Sequence, residues 1–90
     1  MATLYIEAYG SEGGPLLHAE TLAIGETSSQ SGALPGGTVP LVIWLTADVP
    51  CQFAIGADPA AGAGSRYLPA DLPRAYAAAG GHKIAVIEQQ

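Results

Sequence analysis

Three kinds of side chain offer chemistry in this 90-residue chain: a single cysteine, Cys51, two histidines, His18 and His82, and eight carboxylates. A nucleophilic cysteine needs a base, a helix N-terminus or a cation beside it to hold a thiolate. Cys51 instead follows Pro50 and shares a strand face with Phe53 and Ile55, so it reads as a small buried hydrophobe. His18 stands among strand leucines, and His82 enters a Gly-Gly-His-Lys turn. Neither histidine has a neighbour at zinc-ligand spacing. Ser28, Ser29, Ser31 and Ser65 are available, but none sits in a G-x-S-x-G elbow. Asp48, Asp58 and Asp71 each adjoin a proline-containing turn, where carboxylates stabilise the turn itself, and their spacing is not that of a calcium loop. "GADPAAGAG" (56–64) is glycine-rich but lacks the lysine and the following helix of a phosphate loop, and it contains no G-x-G-x-x-G. The chain is therefore expected to have no catalytic set, no cofactor and no metal.

The elements that would position these residues read as strands. Residues 3–9 alternate Leu4, Ile6, Ala8 against Tyr5, Glu7, Tyr9. Residues 10–15 are turn-like. Residues 16–24 form a second strand whose imperfect alternation predicts a bulge or a register change. A short edge strand is expected within 28–33. Residues 38–48 make the clearest strand, with Leu41, Ile43 and Leu45 on one side and Val42, Trp44 and Thr46 on the other. A strand apolar on both sides belongs in the middle of a sheet or under a neighbour. Residues 51–56 and 82–89 are further strands, and 74–79 a short one. Pro69 and Pro73 exclude a helix interior and a central strand from 65–76. The fold expected is all-β: one domain over 1–90, a small antiparallel β-sandwich or jelly-roll-like barrel of about 6–8 short strands with no substantial helix.

Charge narrows the partners. The net charge is −5, charged residues are 12% of the chain, and the only cations besides histidine are Arg66, Arg74 and Lys83. Nucleic acid and anionic membrane surfaces both need clustered cations, so neither is an expected partner. An ordinary soluble domain carries about 25% charged residues. So sparse a surface, on a chain too short for a large core, points to cover by other subunits. No secretory signal and no bilayer-length apolar run is evident, so synthesis in the cytoplasm is expected.

One resemblance bears on function. Ile55-Gly56 with Pro59 and Ala61 is followed by Tyr67-Leu68-Pro69-Ala70, then Tyr76, then Gly81 with Lys83 to Ile87. Over residues 48–89 this pattern resembles small all-β proteins encoded among bacteriophage virion genes. The resemblance implies a structural role without enzyme activity: capsid decoration (cement), or an accessory subunit of the head, collar, tail or fibre attachment. It implies self-association as a dimer or trimer, docking on the major capsid protein or on tail or fibre proteins, and a passage from host cytoplasm to virion.

The interaction residues expected are Trp44, Pro59, Arg66, Tyr67, Leu68 and Tyr76. For Trp44, core packing is the favoured alternative to an interface role; for Tyr67 and Leu68 both remain open. Small residues across 57–64 would let a neighbouring backbone approach closely. Two other classes of function stand beside the virion subunit: a carbohydrate- or protein-binding module using exposed aromatics, and a small enzyme using Cys51 or a histidine.

Overall fold

The computed structural model describes residues 2–10, 15–35 and 40–89; the expected turn at 10–15 lies largely outside them. Eight strands follow in order: β1 (Thr3–Tyr9), β2 (Leu16–Ala23), β3 (Ser29–Gln30), β4 (Pro40–Ala47), β5 (Cys51–Gly56), β6 (Arg66–Leu68), β7 (Arg74–Ala79) and β8 (Lys83–Glu88). They build two four-stranded antiparallel sheets, β2-β1-β4-β7 and β3-β8-β5-β6. Counting from β2 and placing β1 last, the sheets read 1-8-3-6 and 2-7-4-5. That is the strand adjacency of an eight-stranded jelly roll, with the strand that normally comes last supplied by the N-terminus.

Period-2 alternation decides which side chains enter the core. Leu4, Ile6 and Ala8 of β1 and Leu41, Ile43, Leu45 and Ala47 of β4 meet Cys51 and Phe53 of β5 and Ile84 and Val86 of β8, all buried in one cluster. Phe53 is the largest fully buried side chain, and its ring lies 4.8 Å from that of Tyr76 on β7. Fully burying a Leu, Ile, Val or Phe contributes roughly 1.5–3 kcal/mol, so this cluster is the main source of stability.

The expected bulge is present. Ala8 pairs with His18 and Tyr9 with Leu16, leaving Leu17 as the extra residue of β2. The strand within 28–33 is β3, at the end of its sheet. Pro69 and Pro73 flank two end strands, β6 and β7, as their missing N–H groups require.

Two expectations are corrected. Trp44 is not in the core: it is 37% exposed, because its neighbours Ile43 and Leu45 take the inner face and only one face of this sheet is covered. Leu68 is not an exposed interaction residue: it is fully buried opposite Cys51, on the inner side of β6.

The outer face of the β3-β8-β5-β6 sheet is covered by the chain itself. Ala61 packs on Ala85 and Ile87. The Gln30 side chain donates to Asp58 Oδ1 at 3.0 Å and to the Pro59 carbonyl at 2.9 Å. Ala61 N–H donates to Ser28 Oγ at 2.9 Å, and Gln52 Nε2 donates to the Ala63 carbonyl at 2.8 Å. The backbone that the small residues of 57–64 allow to approach is thus, in part, that of their own sheet.

Candidate interaction surface

Among the described residues, no segment covers the outer face of the β2-β1-β4-β7 sheet. Residues that alternate with the core point there: Tyr5, Glu7 and Tyr9 from β1, Val42, Trp44 and Thr46 from β4. Register places them in rows. Glu7 sits between Ala19 of β2 and Trp44 of β4, and Trp44 faces Ala75 of β7. Tyr5 sits between Thr21 and Thr46. Cross-strand neighbours lie about 4.5–5.5 Å apart, and diagonal ones about 7–8 Å. Trp44, Glu7 and Tyr5 are therefore one contiguous group. Tyr5 is 50% exposed. Because Ala19 is short, a shallow hollow of about 350 Å³ opens between β1 and β2, lined by Tyr5, Ile6, Glu7, Ala19, Glu20 and Thr21. Arg66 and Lys83 belong to the other sheet, and Arg74, at the start of β7, stands opposite the inward-facing Leu45. The face therefore offers flat apolar rings, one carboxylate acceptor and the hydroxyls of Thr3, Thr21 and Thr46.

Arg66 of β6 and Tyr76 of β7 are brought together across the two sheets, Tyr76 standing on the inner side of β7 opposite Ile43. The Arg66 guanidinium lies 5.7 Å from the Tyr76 ring centroid, within cation–π range. Beside them a cleft of about 390 Å³ is lined by Phe53, Ile55, Ser65, Arg66, Ala77 and His82 among others. Tyr67 is exposed opposite Gln52 on β6. Pro59 is half-buried in the covering loop, its carbonyl held by Gln30. The expected interaction residues thus do not form one patch: Trp44 stands apart from Arg66, Tyr67 and Tyr76, and Leu68 is removed to the core. Tyr5, Glu7 and Tyr9 were missed as site residues, although the alternation of 3–9 had already put them on one side.

His18, Glu20, Asp48 and Asp71 each make structural contacts. His18 Nε2 and Glu20 Oε1 are hydrogen-bonded at 3.0 Å, and Glu20 Oε2 accepts Gly32 N–H at 3.1 Å. Asp48 Oδ1 accepts Thr3 N–H at 2.8 Å, tying β1 to the end of β4. Asp71 takes a left-handed φ of 58° and donates its N–H to the Ala47 carbonyl at 2.7 Å. Among the described residues, no three His, Cys, Asp or Glu side chains converge as a metal site would require.

Cys51 is buried, and burial together with the Asp48 carboxylate pushes its thiol up to about 11. The folded protein is expected not to react with an aromatic disulfide reagent at about pH 8, and to react on unfolding. Its pH linkage has a definite sign. The ordinary thiol value is 9.0, so between about 9 and about 11 the unfolded chain has lost a proton that the folded chain keeps. Stability therefore falls as pH rises through that window. Urea unfolding across it should show a steeper loss for wild type than for Cys51→Ala; equal slopes would refute the assignment.

No family model matches the chain, and neither the curated proteins nor the solved structures include a significant match to it.

Proposed function

We propose that the protein is a non-catalytic structural subunit of a bacteriophage virion, a capsid-decoration or small head, collar, tail or fibre accessory protein. It docks on another virion protein through the outer face of the β2-β1-β4-β7 sheet. The observation that carries this reading is an asymmetry: one sheet is covered by the chain's own loop at Ala61, while the other leaves Tyr5 and Trp44 exposed with no cation among them. Exposed aromatic clusters of this kind mark association sites. The strand pattern of residues 48–89 supplies the virion context. Strand spacing and rise make the face on the order of 450 Å², below the ~800 Å² per partner of a stable complex. One copy binds weakly, and retention comes from many copies on a repeating lattice. Mass spectrometry of particles purified from the phage or lysogen carrying this gene tests the reading. The chain should appear in stoichiometric multiples of another virion protein; its absence from intact particles would overturn the proposal.

A second reading rests on one local arrangement. Glu7 lies between the Trp44 ring and the hollow over Ala19, with Tyr5 and Thr21 at its rim. A ring that stacks on C–H groups beside a carboxylate and hydroxyls that bond to OH groups is chemistry suited to a sugar. In a titration with a panel of soluble oligosaccharides, this reading expects a saturable shift of Trp44 fluorescence that Glu7→Gln abolishes. No shift with any of them would remove it.

A further inference from the structure

We infer that β7 is a self-pairing edge, through which two copies of the chain join their β2-β1-β4-β7 sheets antiparallel about a two-fold axis at Tyr76. Four strands end the two sheets. β3 and β6 are only two and three residues long. β2 is longer but carries the bulge at Leu17, and His18 and Glu20 lie on its inner side, devices that discourage edge pairing. β7 has six residues in unbroken register with β4 and contains no lysine, proline or bulge. It is the unguarded edge.

The direction of its backbone groups follows from its last residue. Ala79 pairs with Pro40, which has no N–H to give. Ala79 N–H donates instead to His82 Nδ1 at 3.3 Å, and its carbonyl accepts His82 N–H at 3.1 Å. Ala79 therefore turns both groups away from β4. Successive residues of a strand alternate in this respect, so Tyr76 and Ala78 bond to β4 while Ala75 and Ala77 present N–H and C=O to the open side.

These four groups are self-complementary. With Tyr76 opposite Tyr76 of a second copy, Ala75 faces the second copy's Ala77, and the two alanine pairs exchange four hydrogen bonds. One step further, Pro73, without an N–H, faces Ala79, whose groups His82 already satisfies, so the ladder ends without stranding a donor. Arg74 falls opposite Ala78, so no like charges face each other along the paired strands. Ala75 and Ala77 are exposed and small, and the two Tyr76 side chains meet in the closer, non-hydrogen-bonded type of pair. This names where copies meet, and it rests on the assembly reading only in expecting them to meet.

Sedimentation velocity from ~1 to ~300 µM, the range in which a small interface is populated, tests it. Wild type should form a reversible dimer. The double variant Ala75→Lys/Ala77→Lys sets lysine against lysine and should be a folded monomer. Ala75→Lys/Ala77→Glu sets each lysine against a glutamate and should remain a dimer. Ala77→Pro removes one outward N–H and should weaken the dimer at least tenfold. A wild type monomeric throughout, a Lys/Lys variant as dimeric as wild type, or a folded but monomeric Lys/Glu variant would each overturn the inference. Monomeric protein that is nevertheless found in particles would defeat this interface and leave the virion reading standing. Dimers absent from particles would do the reverse.

Discussion

Replacing Phe53 by alanine is expected to cost about 3–5 kcal/mol, the usual range for emptying a fully buried aromatic site. Phe53 is fully buried at the centre of a cluster drawn from both sheets, and the Tyr76 ring rests against it at 4.8 Å. The cavity cannot refill easily, since its walls are strands held in ladders on both sides. At roughly 0.05–0.15 kcal/mol per residue, a domain of this size has about 5–13 kcal/mol in all. The variant thus loses a large share of its stability, and thermal denaturation should show a fall in midpoint on the order of 15–30 °C. Phe53→Leu, which keeps most of the volume, should cost less than half as much. A Phe53→Ala variant within about 1 kcal/mol of wild type would contradict this account of the core.

Trp44→Ala should do the opposite: leave the fold and remove the docking. Trp44 points away from the core, and its cross-strand neighbours Glu7 and Ala75 do not depend on it for burial. Stability should stay within about 0.5 kcal/mol of wild type, as for most surface positions. Binding to particles stripped of the native subunit should fall roughly 30-fold or more, the loss of a single aromatic anchor. Tyr5→Ala should act in the same direction and more weakly. Undiminished particle binding by a folded Trp44→Ala variant would move the docking site off this face, with Tyr67 and the Arg66–Tyr76 pair the next surface to examine. The two variants separate the roles of the two sheet faces: one residue supports the molecule, the other is available to a partner.

The all-β class was legible because alternation and turn residues are local signals. Leu4, Ile6 and Ala8 announce a half-buried strand without reference to anything else in the chain. The prolines at 69 and 73 confine β6 and β7 to sheet ends by removing donors, again a local effect. The site was less legible. β4 is apolar on both sides, so its sequence did not distinguish Trp44 outside from Trp44 inside. Leu68 and Tyr67 are adjacent and equally apolar to the eye; only pairing of Leu68 with Cys51 sends one inward and the other out.

Periodicity by itself determined that this chain is a set of short strands and that Cys51 belongs with apolar neighbours. Tertiary structure alone decided which of the two sheets is left bare. That choice depends on residues far apart in the chain: Gln30 and Ser28 hold the 57–64 loop over Ala85 and Ile87, closing one outer face. No comparable segment lies over Tyr5, Glu7 and Trp44 among the described residues. Strand alternation says that a side chain faces in or out, but what stands outside is settled only when distant segments compete to cover the same surface.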